Sequence, residues 1–591
     1  MMGATSNPRK PSKISRMKRR LRSRGSLIPI AVMAAIFVAL AVPMYKLYSK
    51  VHEDETQMVD SEEADLLPLY RDLYTHEEWP GVESDYSEPN QVQHTVHYLW
   101  CGQKVFGFND YLGVLSILRV LQPLKLVFHY THLPLLDDLW YNTWFWELKQ
   151  SVPNLVLKQL TTSHACGSVD MLKTALGLLS VNGGFFVGEG VVLAKSIDHL
   201  KLLPFWFAFN DPKRDATSGV VFVNRGFNEH TLLDYVQVIM VNAPHCLSQD
   251  DYNRLENSEE EENHSLCVSL AESVYPRDIR SSDDPFAELA RWLFYGRRDP
   301  IFTVHSGQVD LVPRISHYTW MSSDDPEGAK EFTFAHYISV LSALHVAGMD
   351  HVYVHGDVVP RGPWWDELGM QNVTFVSVEH PDAVFQQPVE VPSHASDVIR
   401  YNVLYKYGGV YQDTDVVWVN QVPDWLLGYP TVACPEWPSY GEWPDTLNLG
   451  VIIARRHSPF LRHVMSTYRY FRDTDWNFNA VLLPYRTYEW FPDTLYLDVF
   501  LQAICSHGVC HPAWNEIDTT TTTTDSDIDN DNDQSESAPP FSLAEVRAVH
   551  FRKPKTPASL SSPEAVKAGS DMFADIGRFV LEQSGRTDLL E

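Results

Sequence analysis

Positive charge is scarce in this sequence once its first 24 residues are passed. Nine of the 47 Lys and Arg lie in residues 1–24, which hold no acidic residue, leaving 38 against all 76 Asp and Glu. So acidic a body repels phosphate backbones, which excludes general nucleic-acid binding. Any phosphorylated ligand must then be met by a metal or a local basic site. Zinc-type cysteine spacing is also missing from the seven Cys at 101, 166, 246, 267, 434, 505 and 510. Cys505 and Cys510 are spaced to close a tight loop and Cys246 is near enough to reach Cys267, while the odd count leaves at least one thiol over.

Charge vanishes altogether from Gly25 to Tyr45, about the 20 apolar residues a membrane-spanning helix needs. The basic block before it sets the N-terminus on the cytosolic side. The rival, a signal peptide cleaved at Ala39-Leu40-Ala41, is weakened because the apolar run continues past that site. In either case the body faces a secretory lumen or the outside. The sequons at Asn263 and Asn372 are usable there, as in a glycoprotein.

What the chain does have is aromatic bulk. With 17 Trp, 27 Tyr and 28 Phe among 591 residues, it can build two or three domains with sizeable cores. Residues 1–24 read as a cytosolic tail, 25–45 as a transmembrane signal anchor and 46–91 as an acidic stem. Two units follow, at 92–308 and 309–558, then a C-terminal tail at 559–591. The run Asp518–Pro540 is too polar to bury and is expected to be a disordered insertion.

The two units come from an internal repeat. Val96–Trp100 answers Ser316–Trp320, Met171–Val187 answers Val398–Gln412, and Gly219–Arg225 answers Gly450–Arg456. Strands alternating with helical patterns predict an α/β fold in each unit, with a mostly parallel sheet and ligands at the strand C-termini.

The most informative stretch is Ser396–Val416, SDVIRYNVLYKYGGVYQDTDV. Ser396 suits an N-cap, and Ile399, Val403 and Leu404 form an apolar stripe. Asp397 and Arg400 share another face. Gly408-Gly409 ends the helix, and Asp413 and Asp415 project together from the strand that follows. Paired carboxylates of this kind hold a hard divalent cation beside substrate phosphates. The identical triplet Asp473-Thr474-Asp475 lacks that setting and reads as a solvated turn.

This stretch resembles the signature of DXD-containing GT-A glycosyltransferases, most closely the family 32 type, which includes Golgi mannosyltransferases and α-1,4-galactosyl- and N-acetylglucosaminyltransferases. The resemblance implies retaining transfer of a hexosyl or N-acetylhexosaminyl residue from a nucleotide-sugar to a glycan or glycolipid, with Mn²⁺ or Mg²⁺, in a Golgi type II membrane protein. It implies that Asp397 and Arg400 contact donor sugar and phosphates, with Tyr411 beside them. Asp413 and Asp415 would hold the metal, joined by a late histidine, His550, with Arg552, Lys553 and Lys555 facing the diphosphate. Trp320 is placed either against the base or in the core. Asn448 is the catalytic candidate on the acceptor side, within a group that includes Glu436, Glu442 and Asp445.

Aligning Gly183-Gly184 with Gly408-Gly409 puts Gly188 and Gly190 where Asp413 and Asp415 stand, and Ala175 (ungapped) or Lys173 (with an insertion) at the Arg400 position. The first unit is therefore expected to be a degenerate copy. The expected partners are donor, acceptor and membrane, with room left for a homodimer. The competing reading is a non-catalytic carbohydrate-binding or scaffolding protein that has kept the fold.

Overall fold

The computed structural model describes residues 95–137, 140–160, 168–195, 205–209, 219–223, 246–254, 266–305, 311–321, 331–436, 443–475, 477–506, 509–511, 543–553 and 556–591. The expected tail at 1–24, anchor at 25–45, stem at 46–91 and insertion at 518–540 lie outside the described residues, as do Asn263, Glu442 and Lys555. Among the described residues no helix is long and apolar enough to cross a membrane.

The β-rich runs of the repeat form two sheets that share a six-strand topology, the second with one further edge strand. In the first, β1 (Thr95–Trp100), β2 (Lys125–Tyr130), β3 (Leu155–Gln159), β4 (Gly184–Val187), β5 (Phe205–Phe209) and β6 (Gly219–Val223) stand in the order β3-β2-β1-β4-β6-β5. In the second, β7 (Ile315–Trp320), β8 (His351–Gly356), β9 (Val373–Ser377), β10 (Gly409–Gln412), β12 (Thr431–Pro435), β13 (Leu447–Ala454) and β14 (Tyr496–Leu497) stand as β9-β8-β7-β10-β13-β12-β14. β11 (Val416–Trp418) leaves this sheet for a third, β11-β17-β15-β16, made with β15 (Gln502–Ser506), β16 (Val509–His511) and β17 (Ala548–Lys553). The first four strands of each large sheet are parallel. The expected parallel order breaks at β6 and β13, which run antiparallel to β4 and β10.

Register makes the two sheets equivalent residue by residue. Val96 faces Phe185 as Ser316 faces Val410. Gly188 N–H donates to the Gly219 carbonyl, and Asp413 N–H to the Gly450 carbonyl, each at 2.8 Å. A buried histidine pair recurs as well, with His97 Nδ1 2.9 Å from His129 Nε2 and His317 Nδ1 3.0 Å from His355 Nε2. The double glycines match too. Gly184 and Gly409 have φ of 113° and 116°, and a Cβ on Gly409 would lie 2.7 Å from the Ile315 carbonyl oxygen, so only glycine lets β10 lie against β7 there.

Helices α1 (Phe108–Ser116), α2 (Ser168–Asn182), α3 (Phe334–His345), α4 (Pro392–Tyr407) and α5 (Leu483–Trp490) connect or cover these strands. Residues 559–591, expected as a tail, are instead helical. α6 (Met572–Gln583) sends Ile576, Val580 and Leu581 into the second sheet's core, together with Leu560 and Val566. Their apolar spacing supplies a surface that would otherwise be left exposed on α3.

The two sheet systems meet at a buried arginine. Arg486 on α5 pairs with Glu489 at 2.7 Å, and its guanidinium lies 4.5 Å from the Tyr141 ring and 4.6 Å from that of Trp144. Tyr141 in turn donates to Glu489 at 2.8 Å. Disulfides join Cys246 to Cys267 and Cys505 to Cys510; Cys101 is also disulfide-bonded, and the surplus thiol is the buried Cys434.

Candidate active site

Helix α4 carries the first half of the motif. It begins at Pro392 with Val391 as N-cap, five residues earlier than the expected N-cap Ser396. Ser396 is therefore inside the helix, bonding to Thr319, with its hydroxyl 3.4 Å from Tyr411 Oη. Ile399, Val403 and Leu404 are buried as their spacing predicts. Asp397 and Arg400 are buried too, and a salt bridge of 3.1 Å joins them.

Arg400 is the hub of this half. Nη2 also lies 3.1 Å from Asp413 Oδ1, Nη1 donates to the Leu449 carbonyl at 2.7 Å, and the guanidinium sits 4.4 Å from the Tyr411 ring. Tyr411 Oη donates to Asp413 at 2.8 Å and lies 2.9 Å from Thr319 Oγ1. Burial, helped by the Asp413 charge, pushes the Asp397 carboxyl up to about 6 against the pull of Arg400 and His394.

Asp413 and Asp415 stand in the turn that leads from β10 into β11. Asp413 is tied to Gly450 on β13, and the Asp415 carbonyl accepts from Phe551 N–H on β17. Register sets Val416 opposite His550. This brings His550 Nε2 to 3.3 Å from Asp415 Oδ1. Ligand atoms of Asp413, Asp415 and His550 all lie within 4.8 Å of one another. Burial pulls the His550 pKa down, but Asp415, with Asp413 and Glu436, outweighs it and leaves the imidazole above its ordinary value. Two carboxylates and an imidazole form a donor set suited to a divalent cation that accepts oxygen and nitrogen ligands.

Behind this cluster Asn448 is held rigidly. Its Nδ2 donates to Glu436 at 2.7 Å, and its Oδ1 accepts from Gly450 N–H at 2.8 Å and Gln502 Nε2 at 2.9 Å. Arg552 closes the group by donating to Glu436 at 3.0 Å, so this arginine meets a carboxylate of its own chain. Asp445 stands apart; burial raises its pKa, while Arg277 and Arg280 pull it down. The Lys553 side chain lies outside the described residues.

Trp320 does end β7, but it is 5% exposed and packs on Phe332 and His336. Of its two expected positions, the core is the one observed. Asp473 and Thr474 do form a turn, with Thr474 exposed, but the Asp473 carboxylate is not left to solvent: it accepts from Glu390 N–H at 2.9 Å and from His394 Nδ1 at 2.8 Å. Gly450, Gln502, Thr319 and Asp473 were missed in the sequence. Gly450 and Thr319 had a signal there, since both lie within repeat matches, and Asp473 stood in a triplet identical to the motif.

In the first sheet the matching positions are bare. Ala175 stands eight residues before Gly183, as Arg400 does before Gly408, and α2 runs without interruption to Asn182. Phe186 replaces Tyr411, and Gly188 and Gly190 replace the two aspartates. Glu189 pairs with Lys104.

Comparison with known proteins agrees with this geometry. Residues 351–431 match the family described as a glycosyltransferase sugar-binding region containing a DXD motif. The chain is 30% identical over 182 residues to glucan organizing enzyme 1 of Cryptococcus neoformans, covering 30% of this chain and 49% of that protein. It is 32% identical over 133 residues to inositol phosphoceramide mannosyltransferase 3 of Schizosaccharomyces pombe, covering 22% and 30%. It thus spans about half the length of the first relative and under a third of the second. Among solved structures, the PaToxG glycosyltransferase (15% identity, 31% of this chain and 71% of that one) and GlyE of Streptococcus pneumoniae (12%, 55% and 91%) each give a TM-score of 0.22, too low to carry an argument. The matched residues 351–431 take in the signature and both aspartates of the cation cluster, so the second unit contains a stretch similar to a DXD-containing glycosyltransferase sugar-binding region.

Proposed function

We propose that the second unit is a retaining glycosyltransferase that moves a hexosyl or N-acetylhexosaminyl residue from a nucleotide-sugar to a glycan or glycolipid acceptor. The observation that carries this reading is the convergence of Asp413, Asp415 and the buried His550 beside the Asp397–Arg400 pair. These three residues would hold Mn²⁺ or Mg²⁺, which when bound offsets the charge that builds on a leaving nucleoside diphosphate. Arg400 and Tyr411 fix the Asp413 carboxylate in one orientation, so little reorganisation is left for the moment of reaction. Asp397, with its raised pKa, and Arg400 face the donor sugar and its phosphates. Asn448, held on both sides of its amide, is the group offered to the reacting sugar from the acceptor side. Transfer with retention proceeds by same-face attack or through a covalent intermediate. The mannosyl transfer named for the fission yeast relative supports a hexosyl donor and a lipid-linked acceptor.

The first unit is a degenerate copy in this reading, with Ala175, Phe186, Gly188 and Gly190 where the second has its polar groups. The chain is placed in the Golgi membrane as a single-pass type II protein with residues 25–45 as anchor. Its disulfides support an oxidising lumen, and the exposed Asn372 is open to glycosylation there.

The test is nucleotide release from UDP-Gal, UDP-GlcNAc, UDP-Glc and GDP-Man with Mn²⁺, comparing the full chain with Asp415→Ala. Release should be lost in the variant and in EDTA. Release that survives EDTA removes the cation from the mechanism. No release from any donor favours the non-catalytic, scaffolding reading.

A further inference from the structure

The second Asp-Thr-Asp triplet takes no part in the cation cluster, yet its first carboxylate is fully engaged. Asp473 accepts from Glu390 N–H at 2.9 Å, from Val391 N–H at 3.3 Å and from His394 Nδ1–H at 2.8 Å. Val391 is the N-cap of α4 and has no side-chain cap of its own. His394 is the third residue of that helix. In a capping box, the side chain at that position returns to the N-cap N–H. Here a carboxylate some eighty residues away in sequence bridges the two.

The remaining nitrogen of His394, Nε2, is buried without a partner, and the residue is 1% exposed. Among the described residues Asp473 is therefore the one hydrogen-bond partner of this ring. Without it both nitrogens would be buried and unpaired, and the helix start would have to move to reach water. Asp397 and Arg400 follow His394 at successive intervals of three, on the same face.

We infer that Asp473 is a positioning residue, which through His394 fixes the start of α4 and so holds Asp397 and Arg400 in register with Asp413 and the donor. This rests on the glycosyltransferase reading of the site. The far end of α4 is pinned by Gly408-Gly409, so the loss of Asp473 frees the end that carries Asp397.

Asp473→Ala in the full chain should raise the donor KM about tenfold, the order expected when a positioning group slips by part of an ångström. The acceptor KM should stay within about twofold. Amides 391–397 should exchange hydrogen faster, Asp473→Asn should fall in between, and Asp475→Ala should keep the wild-type donor KM. Unchanged exchange over 391–397, or an equal rise in both KM values, overturns the assignment. A wild-type chain that turns over no nucleotide-sugar sinks the enzyme reading, while the exchange measurement still decides the anchor.

Discussion

Gly450 lies directly against the His550 ring: a Cβ built on it would stand 2.6 Å from His550 Cε1 and 2.8 Å from Nδ1. The backbone at Gly450 cannot withdraw, because its carbonyl accepts from Asp413 N–H and its amide donates to Asn448. A methyl group here must therefore push His550 away from Asp415. Gly450→Ala should raise the Mn²⁺ concentration for half-maximal nucleotide release about tenfold, the usual scale for disturbing a ligand's support. Metal titration of both proteins checks this.

Arg400 neutralises two buried or half-buried carboxylates at once. Arg400→Ala leaves them facing each other, and should cost about 3–5 kcal/mol of stability. Arg400→Lys should recover little activity, since an ammonium cannot span Asp397, Asp413 and the Leu449 carbonyl as a planar fork does. Adding Asp397→Asn to Arg400→Ala should recover part of the stability and none of the donor use. Urea midpoints read alongside nucleotide release separate the two effects.

The paired histidines make stability depend on pH. His317 Nε2 donates to the Gly408 carbonyl at 3.0 Å, so its Nδ1 accepts from His355. Burial lowers His97, His129 and His317 to about 4 and His355 to about 3. An unfolded histidine titrates near 6.5, so below that pH the unfolded chain binds more protons. Stability is full above about 6.5 and is lost as pH falls towards about 4, on the order of 3 kcal/mol for one such histidine. Urea midpoints from pH 7 to pH 5 should show this slope, and His355→Gln, whose amide can replace the donor, should flatten it.

Tyr141 and Glu489 join the two sheet systems through one buried hydrogen bond. Tyr141→Phe removes the donor and leaves that Glu489 oxygen with a weaker set of partners. A loss of about 1–3 kcal/mol is expected. The urea midpoint measures it, and unfolding that stays a single transition shows that the two systems still melt together.

The sequence carried the repeat because a helix, a double glycine and a strand have local requirements. Gly408-Gly409 must be glycine for reasons confined to its own turn and the strand beside it, and the apolar stripe of α4 repeats within one helix. Asp413 and Asp415 were legible for the same reason. Asp473 was not, since its triplet has the same letters and its use depends on a helix start far away in the chain.

Local spacing by itself therefore determined the α/β repeat, the carboxylate pair and the loss of that pair from the first copy. Resemblance had singled out His550 among the 24 histidines, but only tertiary structure brings it to Asp415, places Trp320 in the core and lets residues 559–591 close the second core. Each of these follows from pairing between segments distant in sequence, β11 with β17 above all. Such pairing is set by burial and register across the whole fold, which a run of neighbouring residues does not encode.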